Sequence, residues 1–262
     1  MKLKRVVFVV FLVALGLSSH ICLADGMGFE EFAQRLLANY GKIKDMRATV
    51  ITYQKDTRNK ENPDKFVPTG ENKYIYKAPK KMKWVLMGKE TLTDVVIGNK
   101  EFVRMIDTGE LSEEDISGSG FTLLPFDISF YERMVEYIKE KLIVQSVGVD
   151  SVGNQVFECR PKEIGKDMDV RVCFDPKVGA LVKFEFFSRR EYGDAPTRVL
   201  EWHNFKEVLP GCFLPEEYIG RSYPFTLDED GLDVLTGDET TEKMVFKDII
   251  VNQGVSDTEF NI

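Results

Sequence analysis

The chain has 262 residues, with 43 acidic against 35 basic side chains and a formal net charge of −8. A body that acidic repels phosphate backbones and anionic membrane surfaces, which argues against nucleic-acid binding. Only two histidines occur, so histidine-rich metal sites are excluded and a histidine-based triad has almost nothing to draw on.

Lys2, Lys4 and Arg5 form a basic start, followed by an apolar run of 12 residues from Val6 to Leu17. That run is too short for a bilayer-spanning helix, which needs about 20 apolar residues. It has the layout of a secretory signal peptide over residues 1–24, cleaved after Ala24, with Cys22 and Ala24 as the small residues before the cut. The alternative, acylation of Cys22, is disfavoured because Ser19-His20-Ile21 leaves no small residue directly before the cysteine. Export places the body, residues 25–262, in the periplasm as a single domain of a size that β barrels and sandwiches often reach.

Phe29, Phe32, Leu36, Leu37 and Tyr40 recur at helical spacing, with Glu30 and Glu31 in the first turn and Gly41 at the end. From Met46 the period changes to two. Residues 47–54, 72–78, 83–87, 94–97 and 101–106 are rich in β-branched and aromatic side chains and read as strands. Gly98-Asn99 is a natural hairpin turn between the last two. Gly118 to Gly120 reads as flexible, and a second helix is predicted from about Ser129. Ser129 and Glu132 there make a capping box, and Phe130, Met134, Tyr137 and Ile138 form one apolar face. Strands follow at 143–147, 156–160, 170–174, 181–187, 199–208, 213–221 and 244–251, and Asp175 to Gly179 is a turn. Polar loops are predicted at 55–65, 188–196 and 228–242. The result is an antiparallel meander with two or three helices.

Cys22 falls in the leader, leaving Cys159, Cys173 and Cys212. If Gly165-Lys166-Asp167 is the turn of a hairpin, Cys159 and Cys173 face one another across it, with Cβ atoms about 4.5–5.5 Å apart. A disulfide is then within reach in an oxidising compartment; the alternative is a pair of buried thiols. Cys212 has no partner and reads as buried.

The alternation also says where apolar surface goes. Val182, Phe184 and Phe186 share one face of their strand while Lys183 and Glu185 share the other. Leu200 and Trp202 alternate against Glu201 and His203, and Trp84 and Leu86 share a face. Such a sheet has one wet side and one oily side, and the oily side must be covered by helices, curvature or a ligand. Phe102 joins that apolar set in the strand after the Gly98 turn. Each of these side chains has a bland reading as packed core.

Motifs for chemistry are missing. His203 sits on the polar side of its strand and reads as solvent-facing. No C-x-x-C pair, P-loop, Rossmann glycine fingerprint or G-x-S-x-G elbow occurs. Asp228, Asp230 and Asp233 beside Gly231 miss the ligand positions of an EF-hand and read as a solvated acidic loop. No metal site, cofactor or catalytic residue is assigned, and the chain reads as a non-enzyme.

The order of elements resembles the LolA/LolB family of periplasmic lipoprotein carriers and lipid-binding proteins. The likeness rests on the first helix leading into Met46-Arg47-Ala48-Thr49-Val50-Ile51-Thr52-Tyr53-Gln54, and on Tyr76-Lys77-Ala78-Pro79-Lys80-Lys81-Met82-Lys83-Trp84. It continues through Asp94-Val95-Val96-Ile97-Gly98-Asn99-Lys100-Glu101-Phe102-Val103, and ends in the last strand followed by Gly254-Val255. Carrier members commonly place an arginine before the proline, a position that Ala78 holds here. The resemblance implies a curved, incomplete antiparallel β-barrel with helices covering its concave face and acyl chains bound between them. Trp84, Leu86, Phe102, Phe184, Phe186, Leu200 and Trp202 would line that face. It further implies a monomeric carrier for lipid or lipoprotein acyl chains in outer-membrane lipoprotein sorting, served by an inner-membrane release complex and an outer-membrane receptor. The alternative is an envelope-stress sensor or protein-binding module on the same fold.

Overall fold

The computed structural model describes residues 27–55, 65–87, 92–98, 100–105, 108–115, 128–163, 169–187, 196–223, 225–227, 233–235 and 239–261. The leader with its cut after Ala24, the 118–120 segment, the turn at 165–167 and most of the polar loops at 55–65 and 188–196 lie outside these residues.

Helix α1 spans Phe29–Tyr40. Its apolar spacing turns Phe32, Leu36 and Tyr40 into the interior, with Phe29 and Leu37 at the margin. Glu30 and Glu31 favour the positive end of the helix dipole, and the Gly41 amide donates to the Leu37 carbonyl at 2.8 Å to close the last turn. Strands β1 (Asp45–Lys55), β2 (Phe66–Lys77), β3 (Lys81–Met87), β4 (Leu92–Ile97), β5 (Lys100–Met105) and β6 (Leu111–Asp115) then run as a meander. The β4–β5 hairpin turns where Gly98 was expected to turn it, with Ile97 opposite Lys100 and Gly98 at φ 66°.

Helix α2 covers Ile128–Lys141. It begins at Ile128, so Ser129 lies inside the helix rather than capping it. Its buried face holds the expected Met134 and Ile138 together with Tyr131 and Val135, and Tyr137 packs against it half-buried; the Phe130 side chain lies outside the description. Strands β7 (Leu142–Val149), β8 (Gln155–Pro161), β9 (Asp169–Asp175), β10 (Ala180–Phe187), β11 (Arg198–Leu209), β12 (Cys212–Ser222), β13 (Phe225–Leu227), β14 (Asp233–Leu235) and β15 (Thr240–Val251) follow, with a short 3-10 turn at Asp257–Phe260. Residues 228–242 were read as one polar loop; β14 and the first three residues of β15 lie inside that stretch.

All the long strands join one open antiparallel sheet of 13 in the order β6-β5-β4-β3-β2-β1-β15-β12-β11-β10-β9-β8-β7, while β13 and β14 pair only with each other. The last strand closes the gap between the two meanders by pairing with β1 on one side and β12 on the other. Strands β6 and β7 are the two edges, so the barrel is incomplete, as the resemblance implied.

Both helices lie on one face. Phe32 of α1 packs on Phe157 and on Phe174, with ring centroids 5.3 and 4.8 Å apart. The helices are joined by a Tyr40–Tyr131 stack at 4.2 Å and by a Lys139–Glu30 ion pair at 2.6 Å. Asn39 fixes the end of α1 to the start of β12, donating to the Phe213 carbonyl and accepting from the Phe213 amide. The opposite face of the sheet carries a smaller apolar group, Val95, Val255 and Phe260, beside Ile75.

The cysteine hairpin differs from expectation. Cys159 stands opposite Val170 and Cys173 opposite Val156, three residues out of the assumed register, and both thiols are free and buried. An odd shift puts the two sulfurs on opposite faces of the sheet. The observed register aligns Phe157 with Val172 and Cys159 with Val170 on the helix-covered side, and that burial outweighs whatever the turn residues favour. Burial pushes the Cys173 and Cys212 thiols up to about 11 and the Cys159 thiol to about 12, which makes all three poor nucleophiles.

Glu185 is a second departure. It stays on the outer face with Lys183, as the alternation required, but it is only 7% exposed. Lys183 reaches it at 2.6 Å and Arg171 at 3.4 Å, and Arg171 also bonds Glu158 at 3.1 Å. A buried carboxylate is tolerable only with such partners.

Candidate functional site

Residues directly opposite in antiparallel strands project to the same side, which allows the helix-covered face to be read row by row. One row runs Phe157, Val172, Phe184, Leu200, Gly220, Glu242 and Gln54 across β8, β9, β10, β11, β12, β15 and β1. The neighbouring row toward one rim is Cys159, Val170, Phe186, Arg198, Ser222 and Thr240. On the other side Trp202 faces Tyr218, which faces Met244.

Of the expected lining residues, Trp84, Phe184, Leu200 and Trp202 are buried in the same apolar cluster as the helices, and Phe186 packs against it half-buried. Leu86 is half-buried on this face, two residues along β3 from Trp84. Phe102 is not there. It pairs with Val95, and Val95 faces the outer apolar group, so Phe102 projects away from Trp84 and the helices. The Gly98 hairpin fixes this: its two-residue loop opposes Asp94 to Val103 and Val95 to Phe102, and Asp94 is the one opposite Trp84. His203 lies on the outer face opposite Glu217, where the alternation placed it.

Asn72 stands out on the inner face. It sits in the row Phe246, Val50, Asn72, Leu86, is 0% exposed, and neither atom of its amide has a hydrogen-bond partner. An unpaired buried amide costs about 1–3 kcal/mol. Asn72→Leu, which keeps the branched skeleton and the number of side-chain heavy atoms, is therefore expected to raise the unfolding free energy by about that amount in urea titration, less the cost of fitting its bulkier methyl groups; a destabilised variant would remove the unpaired amide as a net cost to the fold.

A cavity of about 680 Å³ opens at the rim of the inner face, lined by Gln54, Arg198, Gly220, Ser222, Thr240 and Glu242 and, around the strand ends, by Lys55, Glu239 and Thr241. The Tyr218 hydroxyl donates to Glu242 Oε1 at 2.9 Å, and burial, helped by Glu242, pushes the phenol well above its usual range. Arg198 Nη2 stands 3.8 Å from Glu242 Oε1, and Arg198 Nε is buried without a partner. Gly220 makes the arrangement possible, because a Cβ there would lie 2.6 Å from the Tyr218 hydroxyl and 2.7 Å from Glu242 Oε1. On the outer side of the same rim Arg221 pairs with Glu201 and approaches Glu239 at 3.8 Å, and Lys55 approaches Glu239 at 3.6 Å. The Thr241 hydroxyl on Glu239 holds that carboxyl below its ordinary value.

Sequence reasoning missed this rim. A signal for Arg198 exists: it shares parity with Leu200 and Trp202, which puts a cation on an oily face, although the sequence pattern starts that strand only at Val199. Glu242 falls at the end of the predicted polar loop 228–242 and is in β15 in the structure.

The open antiparallel sheet with two helices packed into one face is similar in fold to several solved structures. The chain is similar to a domain from Vibrio parahaemolyticus described as an outer membrane lipoprotein-sorting protein, with 14% identity over 89% of this chain and 97% of that one and a TM-score of 0.55. It is similar to a DUF1329 family protein from Desulfovibrio piger, with 10% identity, 89% and 95% coverage and a TM-score of 0.57. A LolA superfamily protein from Nitrosomonas europaea matches with 14% identity over 88% and 97% of the two chains at a TM-score of 0.54. No family model matches the chain, and no curated protein matches its sequence. At such identities the likeness is one of fold. Among the described residues no helix is long and apolar enough to cross a membrane.

Proposed function

We propose that this protein is a non-enzymatic carrier of the bacterial envelope that shields the acyl chains of a lipid or lipoprotein between its sheet and its helices. The observation that carries this reading is the composition of the inner face. Trp84, Leu86, Phe184, Phe186, Leu200 and Trp202 share it, and the described elements opposite it are two helices rather than a second sheet. Helices tied to a sheet by side-chain packing and a few polar contacts can shift as units, whereas a paired sheet cannot. A 16-carbon chain that replaced part of those contacts would contribute roughly 12 kcal/mol of transfer free energy before ordering costs, at about 0.8 kcal/mol per methylene. The side chains now packed on the helices would become the chain's contacts.

The leader at residues 1–24 supports export to the periplasm, and the fold neighbours support a role in lipoprotein sorting. In that role an inner-membrane release complex would load the carrier and an outer-membrane receptor would unload it. Native mass spectrometry of protein purified from the periplasm, with titration of a fluorescent fatty-acyl probe, tests the reading. Co-purified lipid, or saturable probe binding reversed by a lipopeptide, is the expected result. Protein that carries no lipid and leaves the probe in solution would overturn it.

A further inference from the structure

Arg198 places a charge on the inner face, its guanidinium beside the Tyr218 hydroxyl and Glu242 and its side chain 39% exposed at the rim. It stands directly opposite Phe186 on one side and Ser222 on the other. Its Nε is buried and unpartnered, and its Nη2 is 3.8 Å from Glu242, beyond hydrogen-bond reach. Glu242 already accepts from the Tyr218 hydroxyl at 2.9 Å. The outer cations of the same rim, Lys55 and Arg221, have Glu239 beside them. The exposed part of the guanidinium is its Nη end, which can give charge-assisted hydrogen bonds to a carboxylate or phosphate. The orphaned buried Nε donor beside it also asks for an acceptor.

The space for one is present. The cavity beside Arg198 measures about 680 Å³, within the range of about 300–1,000 Å³ of small-molecule sites, and its floor at Gly220 has no side chain. It borders the apolar face, because Gly220 stands opposite Leu200 and Arg198 opposite Phe186. At roughly 3.3 Å per residue, Arg198 and Trp202 are about 13 Å apart, a length over which an extended chain would lie on Leu200 and Trp202, with Phe186 alongside, once the helix side chains that now cover them shift.

We propose that this cavity is the head-group subsite of the acyl-binding face: Arg198 receives the carboxylate or phosphate oxygens of an anionic amphiphile, and the hydrocarbon runs from it along Phe186, Leu200 and Trp202. The assignment rests on the carrier reading above and narrows it to amphiphiles whose charge lies at the end of the chain. Glu242 is then a positioning residue, held off the guanidinium by Tyr218.

The test displaces a fluorescent fatty-acyl probe from the wild-type protein, Arg198→Met and Arg198→Lys, using palmitate, palmitoyl lysophosphatidate, uncharged 1-hexadecanol and inorganic phosphate as competitors. Arg198→Met is expected to weaken palmitate and lysophosphatidate at least tenfold and to leave hexadecanol within twofold. Arg198→Lys should recover part of the loss, since one charge remains without the fork. Inorganic phosphate should not compete at the concentrations where the lipids do. Equal losses for the charged and uncharged competitors, or no loss for either, would overturn the head-group assignment and leave the carrier standing. Phosphate competing as well as lysophosphatidate would make this a free-anion site and overturn it too. A wild-type protein that binds neither probe nor any of the chains would overturn both readings together.

Discussion

Replacing Phe32 by alanine is expected to lower the unfolding free energy by about 3–5 kcal/mol, read from urea titration with an unchanged slope. Phe32 has no exposed surface and is the side chain that seats α1 on the sheet. Its ring lies 5.3 Å from Phe29 and Phe157 and 4.8 Å, edge-on, from Phe174. Truncation removes the transfer free energy of the ring and three aromatic contacts, and the cavity left behind is walled by two strands that cannot collapse into it. Against a domain stability of about 5–15 kcal/mol the loss is a large fraction. The helix covers the proposed acyl-binding face, so the variant should also bind a hydrophobic dye that the wild type excludes. A loss under about 1 kcal/mol would mean that α1 rides loosely on the sheet, and the closed packing of the inner face would have to be reconsidered.

The second large effect concerns pH. Asp94 sits on the inner face opposite Trp84 and Val103, with its Oδ1 buried and unpartnered. Burial first, and then the neighbouring Glu101, raise its carboxyl from the ordinary value to about 7. In the unfolded chain the same group titrates near pH 4. Between those values the folded protein keeps a proton that the unfolded chain has released, so stability falls as pH rises from about 4 to 7 and is level above. Three pH units amount to about 4 kcal/mol at most, and partial solvent screening of a half-buried carboxyl brings the expectation to about 2 kcal/mol. Asp94→Asn keeps the shape and removes the proton. The variant should be more stable than wild type by about 2 kcal/mol at pH 7.5, the difference vanishing near pH 4. Exposed carboxylates such as Asp257, held low by hydrogen bonds and charge from Lys81 and Lys77, work in the opposite direction, so the reading is the difference between the two proteins rather than either slope. A pH-independent difference would remove Asp94 as its source.

Both predictions arise on one surface, and they show how unevenly that surface was legible. The helical spacing of Phe29, Phe32, Leu36, Leu37 and Tyr40 named α1 and its buried side, because a period near 3.6 admits one apolar stripe. The alternation of Phe184 and Phe186, and of Leu200 and Trp202, named the inward set of β10 and β11, because the other set carries charge. Where both sets are apolar the pattern is silent. In β4 and β5, Val95 and Val96, and then Phe102 and Val103, compete for the interior, and Phe102 was assigned to the wrong side. The outer apolar group of Val95, Val255 and Phe260 joins residues about 160 positions apart in the chain; no local signal announces it.

The sequence by itself determined the two helices, most of the long strands, the hairpin at Gly98, and the existence of one oily face, since these follow from side-chain period and turn chemistry over a few residues; the short strands β6, β13 and β14 carry no such signal. Only the tertiary structure decided the β8–β9 register that separates Cys159 from Cys173, the seating of β15 between β1 and β12, and the meeting of Arg198, Gly220 and Glu242 at one rim. Those outcomes turn on which distant surfaces bury one another best. A shift of one residue in a strand exchanges its faces while leaving its own composition unchanged.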